Sequence, residues 1–276
     1  MFLFALSVLP SIAIISFIYN RKYKGQKPLR FLFKLFIYGC LVTIPIVLVE
    51  VFATGYLFLN ASHENMPDLV YLFFETFFCV ALTEEGFKYL VFFTQIKKSP
   101  IYNGIYDSII YSVLVSLGFA TVENMLYISD LGVKTAVIRA VTAVPCHAIL
   151  GVTMGYYMGL SMFAKSKTKK VLYASLSLVV PVLLHGVYNF LVLSSNELFL
   201  FLFIPFMVYL YVSGTQKANI LAKMDFYQKR MEDQQFYQAI TDNPYRTYVS
   251  NRADQNRPKV NYDLLNNPLK PKPPKN

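Results

Sequence analysis

The chain has only three cysteines, and Cys40, Cys79 and Cys146 each fall inside an apolar run. Such positions offer no disulfide framework and suit thiols used as packing residues. No basic residue precedes the first apolar run, Met1 to Tyr19, and no small-residue cleavage site ends it. A secretory signal puts its positive charge first, so this stretch reads as a retained helix. There is no internal repeat, which argues against a transporter assembled from paired halves. Acidic residues are also scarce, 16 Asp and Glu against 26 Lys and Arg. The resulting charge of +10 is not spread as a nucleic-acid surface. It sits in short loops and in the tail, as expected for the cytoplasmic side of a membrane protein, and nucleic-acid binding is set aside.

What the sequence does have is apolar length. With 55% hydrophobic residues gathered into long runs, the 276-residue chain reads as an all-α, polytopic membrane bundle. Seven spans are expected, at about 1–19, 31–59, 69–94, 108–128, 136–162, 171–193 and 198–213. Basic clusters follow every second span, at 20–30, 97–98 and 163–170, while loops 60–68, 129–135 and 194–197 carry almost none. This alternation places the N-terminus outside and the C-terminus in the cytoplasm. Residues 214–243 suit an interfacial helix, and 244–276, rich in Asn, Asp, Lys and Pro, suit a disordered tail. The bundle is thus 1–213, with its polar residues concentrated in 69–193.

The polar residues inside the spans carry the chemistry. Leu82-Thr83-Glu84-Glu85-Gly86-Phe87-Lys88 sets two carboxylates and an amine in the middle of the third span. Each carboxylate costs about 2.5–3.5 kcal/mol at bilayer depth, so a function is expected of it. Lys88, one turn after Glu84, is expected to neutralise that residue and leave the other acid free. Glu123 and Asn124 lie in the fourth span, His147 in the fifth, and His185 with Asn189 on one face of the sixth. Counted from the cytoplasmic span ends, Glu123, His147 and His185 come out at about 21–22 Å, and Glu84 at about 15–21 Å depending on where its helix ends.

Singly, each polar residue has a plainer reading as an ion pair or an interhelical hydrogen bond. Glu50, Glu75 and Arg139 are assigned to snorkelling or mutual pairing near the outer span ends. One shared depth for two histidines and two carboxylates suits peptide hydrolysis better. A buried carboxylate can activate water, and imidazole and amide groups can hold the oxyanion. Alternatively, His147, His185 and Glu123 can bind a divalent metal such as zinc. There is no His-Glu-x-x-His run, which excludes a zincin helix. Gly151, Gly155 and Gly159 give the fifth helix a smooth side, and Pro145 and Pro181 loosen the backbone beside each histidine.

Glu84-Glu85-x-x-Lys88, Phe119-x-x-x-Glu123-Asn124, His147-x-x-x-Gly151 and His185-x-x-Tyr188-Asn189, in order on consecutive helices, resemble the motifs of the PrsW family of intramembrane proteases. More distantly they resemble the CAAX-processing and bacteriocin-immunity protease superfamily, whose members usually have His where this chain has Glu123. The resemblance covers about 69–193. It implies a multi-pass peptidase of the cell membrane that cuts a membrane-anchored protein, such as an anti-sigma factor. It also implies Glu84 or Glu85 as the water-activating base, His185 and Asn189 as the oxyanion group, and Lys88 and Asn124 in support. Asn189 is a better oxyanion donor than a metal ligand, which favours a metal-free version. A proton- or cation-coupled transporter and a non-catalytic membrane scaffold or immunity protein stand as alternatives.

Overall fold

The computed structural model describes residues 2–22, 29–60, 67–99, 102, 105–194 and 196–241. The expected tail 244–276, and most of loops 20–30 and 60–68, lie outside these. The elements are α1 (Phe2–Lys22), α2 (Leu29–Asn60), α3 (Asp68–Phe74), a π-helical stretch (Glu75–Ala81), α4 (Leu82–Lys98), α5 (Asp107–Val141), α6 (Ala143–Phe163), α7 (Lys167–Leu193) and α8 (Glu197–Thr241). Since α3, the π stretch and α4 run on without a break, the described residues form seven helical rods, and there is no strand among them.

Five stretches are long and apolar enough to cross a membrane: 29–59, 107–129, 131–163, 167–193 and 197–226. The apolar part of α1, Ser7–Ile18, is shorter. The rod from Asp68 to Lys98 carries Glu75, Glu84, Glu85 and Lys88 within its length. It runs to Lys98, so Glu84 lies about 21 Å from the end that carries Lys97 and Lys98, the longer of the two expected depths. The chain divides into two units, 1–226 and 227–276. In the second, α8 continues to Thr241.

In the first unit α5 is the central helix. Every residue from Ile105 to Thr121 is buried, as expected of a helix that is apolar on all sides. Its neighbours approach through small residues. A Cβ on Gly151 would lie 2.9 Å from Cα of Val113, and Gly155 and Gly159 face Ile109 and Ile105 in the same way. This is the smooth side expected of the glycine spacing. Ser112 adds a hydrogen bond from its hydroxyl to the Gly151 carbonyl at 2.6 Å. A second close crossing, between Gly39 of α2 and Gly118 of α5, was not expected; a Cβ on either residue would run into the other helix's backbone.

The loop expected at 129–135 is a single-residue reversal at Gly132, whose φ of 77° only glycine takes up readily. At Pro145 the missing N–H leaves the Val141 carbonyl without its helical donor. The Tyr211 hydroxyl of α8 takes its place at 3.2 Å, and the helix breaks at Thr142. α8 passes through Gly214 without a break, and Leu221 is fully buried against the α5 core.

Two outcomes test this architecture. Single cysteines at Ser62, Ser129 and Ser195, in a background free of native cysteine, should react with an impermeant thiol reagent on intact cells. Labelling at Lys24 or Lys167 instead would reverse the orientation. Gly155→Val should overpack the α5–α6 crossing and cost about 1–3 kcal/mol, read as a lower midpoint of thermal unfolding in detergent.

Candidate active site

The four motifs meet at one buried point. α4 supplies Glu84, Glu85 and Lys88, α6 supplies His147 and α7 supplies His185, all five buried. Lys88 Nζ donates to Glu84 Oε2 at 2.8 Å and to Glu85 Oε1 at 2.8 Å. The expectation that Lys88 pairs with Glu84 alone therefore needs correcting. At i+3 and i+4 a lysine reaches both acids, and in a space without water it neutralises both in part.

Lys88 Nζ also donates to His147 Nδ1 at 3.3 Å. It rests 3.9 Å from the centre of the Phe119 ring, which closes that side of the site. Behind His147, Nε2 meets Glu123 Oε2 at 2.8 Å. A carboxylate only accepts, so the imidazole hydrogen is on Nε2 and the Nδ1 lone pair points into the site. His185 Nδ1 donates to Glu85 Oε1 at 3.0 Å and lies 3.8 Å from Glu84 Oε2. The two imidazole rings stand perpendicular, 5.1 Å apart.

Arg139 departs from its expected place. It neither snorkels nor pairs with Glu50 or Glu75, but reaches Glu123 Oε2 with its guanidinium at 2.7 Å. That contact is an ion pair by distance; the same guanidinium nitrogen has no aligned hydrogen bond. Arg139 Nε donates to Asn124 Oδ1 at 3.2 Å, and the guanidinium stacks on Tyr127 at 4.0 Å. The signal for this was present. Glu123 lies nine residues before Gly132 and Arg139 seven after it, so a tight reversal there sets them side by side. Glu50 is half-buried with a buried Oε1 that has no partner, and Glu75 lies half-buried in the π stretch.

Two local features aim these groups. In the π stretch the Leu82 amide reaches back five residues to the Phe77 carbonyl. One extra residue in the winding turns everything downstream by about 100°, and this brings Glu84 and Glu85 inward. No residue pattern announces it. On α7, Gly186 lets the Phe77 ring lie flat on the backbone next to His185; a Cβ there would be 2.6 Å from Phe77 Cγ. Asn189 follows one turn later, half-buried.

A family model described as PrsW family intramembrane metalloprotease matches residues 27–213 of the chain. The chain belongs to the PrsW family. It is 36% identical over 205 residues to Protease PrsW of Oceanobacillus iheyensis, covering 74% of this chain and 89% of that protein. Protease PrsW of Bacillus subtilis is 34% identical over 212 residues, covering 77% and 92%. That of Clostridioides difficile is 32% identical over 221 residues, covering 79% and 90%. No solved structure matches. As a PrsW-family member the chain is a multi-pass membrane peptidase, and its substrate is a membrane protein in the bilayer.

The family description names a metalloprotease, and the residues here fit a divalent ion. Glu84, Glu85, His147 and His185 each offer one ligand atom, all within 4.8 Å of one another. His147 turns a bare nitrogen inward, as a ligand must, and Glu123 holds its other nitrogen in the carboxylate–histidine arrangement that supports metal ligands. The cluster that could hold an ion contains His147 and His185 of the expected set, whereas Glu123 lies outside it. Its carboxylates are those of Glu84 and Glu85, and Glu123 stands behind His147.

Glu123→Gln should keep the shape of this support while weakening the hold on His147. We expect a 10–100-fold loss in kcat/KM for cleavage of a membrane-anchored reporter, with normal accumulation in the membrane. An unchanged rate would make the Glu123–His147 contact ornamental.

Proposed function

We propose that Glu84, Glu85, His147 and His185 are the catalytic centre of this peptidase, with Lys88, Glu123, Asn124 and Arg139 as its support and Asn189 as an oxyanion donor. One observation carries the reading. Glu85 has one oxygen tied to Lys88 and His185, while the other, Oε2, is buried with no partner. An unpartnered buried acceptor is costly, and it is what a general base for water requires.

In this reading Glu85 Oε2 takes a proton from the attacking water as its oxygen bonds to the scissile carbonyl carbon. The same carboxyl then gives that proton to the departing amine nitrogen as the carbon–nitrogen bond breaks. A divalent ion held by the four residues in place of the Lys88 ammonium would supply Lewis-acid polarisation of the carbonyl oxygen. Without an ion, the Lys88 ammonium is shared by Glu84 and Glu85 and keeps the pair from carrying two uncompensated charges. His185, whose Nδ1 hydrogen points at Glu85, orients that carboxylate. In its neutral form it has no second hydrogen to give an oxyanion, so the Asn189 amide is the better donor. The substrate is proposed to be a membrane-anchored regulatory protein such as an anti-sigma factor, a reading supported by the family resemblance alone.

Glu84→Gln and Glu85→Gln should each abolish cleavage of a membrane-anchored reporter while accumulating normally. Asn189→Ala should cost about 10²–10³-fold in kcat, the scale of one oxyanion donor. Glu75→Gln should keep most of the activity. Wild-type cleavage by both glutamine variants would refute the assignment. Chelation that abolishes cleavage, restored by zinc, is the expected result for the metal-supported form.

A further inference from the structure

Lys88 is an unusual neighbour for a metal site, because its ammonium already occupies the space between the ligands. Nζ lies 2.8 Å from Glu84 Oε2, 2.8 Å from Glu85 Oε1 and 3.3 Å from His147 Nδ1. The fourth residue, His185, donates to the same Glu85 oxygen. A zinc ion held by these four residues needs a donor atom of each at about 2.0–2.2 Å. Ligand atoms no more than 4.8 Å apart cannot enclose both an ammonium and a divalent ion. Like charges at such separation in a dry space also repel strongly.

We propose that the Lys88 ammonium and a divalent metal ion are alternative occupants of one ligand cage, and that Lys88 sets the metal affinity and selectivity of the site as a tethered competitor. The ligand set is taken from the catalytic reading above. Lys88 is fully buried, and its helix holds it one turn from both glutamates, so it is permanently present at high effective concentration. It balances the glutamate pair with a single charge and asks little of the histidines. An ion that displaces it must gain from imidazole nitrogen as well as from carboxylate oxygen. Zinc and its neighbours do so, whereas magnesium and calcium prefer all-oxygen ligands. The cage thus stays closed to the abundant hard cations.

The test uses the full chain in lipid nanodiscs with zinc alone as the probe, read by equilibrium dialysis and by the zinc-induced rise in the thermal midpoint. Lys88→Met keeps the length of the side chain and removes the cation. It should bind zinc at least about tenfold more tightly than wild type, a change of about 1.4 kcal/mol. Its thermal midpoint should rise further on adding zinc. Lys88→Arg keeps a cation and should bind as weakly as wild type, and neither magnesium nor calcium should bind any of the three. If Lys88→Met accumulates poorly, zinc in the growth medium should restore it. Equal or weaker zinc binding by Lys88→Met, no zinc binding by any variant, or no restoration by zinc would each overturn the proposal. Because zinc binding is read directly, such a failure leaves the cleavage assays to judge the catalytic reading on their own.

Discussion

Two carboxylates share one ammonium in a space that excludes water, and the rest of the bundle is arranged around that fact. Glu84 and Glu85 are adjacent on a helix, so they face directions about 100° apart and cannot both point at one neighbour unless a long side chain spans the gap. Lys88 does this from the next turn, 2.8 Å from each. Removing the ammonium from such a buried group leaves uncompensated charge, at a cost of about 3–5 kcal/mol. The arrangement is therefore cooperative, and its neighbours must keep water out while offering only groups that the three charges tolerate.

The surrounding helices meet that demand with close packing. Glycine crossings bring α5 within backbone distance of α2 and α6, which leaves little space near the charges. Phe119 covers the ammonium with its ring face. Where the helix breaks, at Thr142, the Val141 carbonyl left without a donor by Pro145 is taken by Tyr211 from another helix. The break lies five residues before His147, so this contact holds the helix end from which His147 projects.

Behind the inner cage is a second polar layer. Glu123, Arg139 and Asn124 form a chain that ends on His147 and fixes which of its nitrogens carries hydrogen. The inner layer presents lone pairs, and the outer layer sets their direction. This division is what a buried polar site needs from a bundle of helices: groups that converge from three rods, and a support that keeps them from turning away.

Much of this could be read from residue order. Long apolar runs separated by short loops dictate helices in a bilayer, since no other open structure satisfies its own backbone there. The glycine repeat of α6 forecast a close neighbour, and the level depth of Glu84, Glu123, His147 and His185 forecast one site. The motif order was enough to place the chain in its family. Three things were beyond the sequence. The π winding before Glu84 leaves no mark in composition, yet it decides which way both carboxylates face. Lys88 reaches Glu84 and Glu85 equally well at i+4 and i+3, and only the packed side-chain positions show that it bridges them. Glu123 could have served as a ligand or as a support by spacing alone; the reversal at Gly132, which brings Arg139 against it, settled its place behind His147. Sequence determines helices because their hydrogen bonds are local. The partners of a buried charge are decided by which helix faces meet, and that is a property of the whole fold.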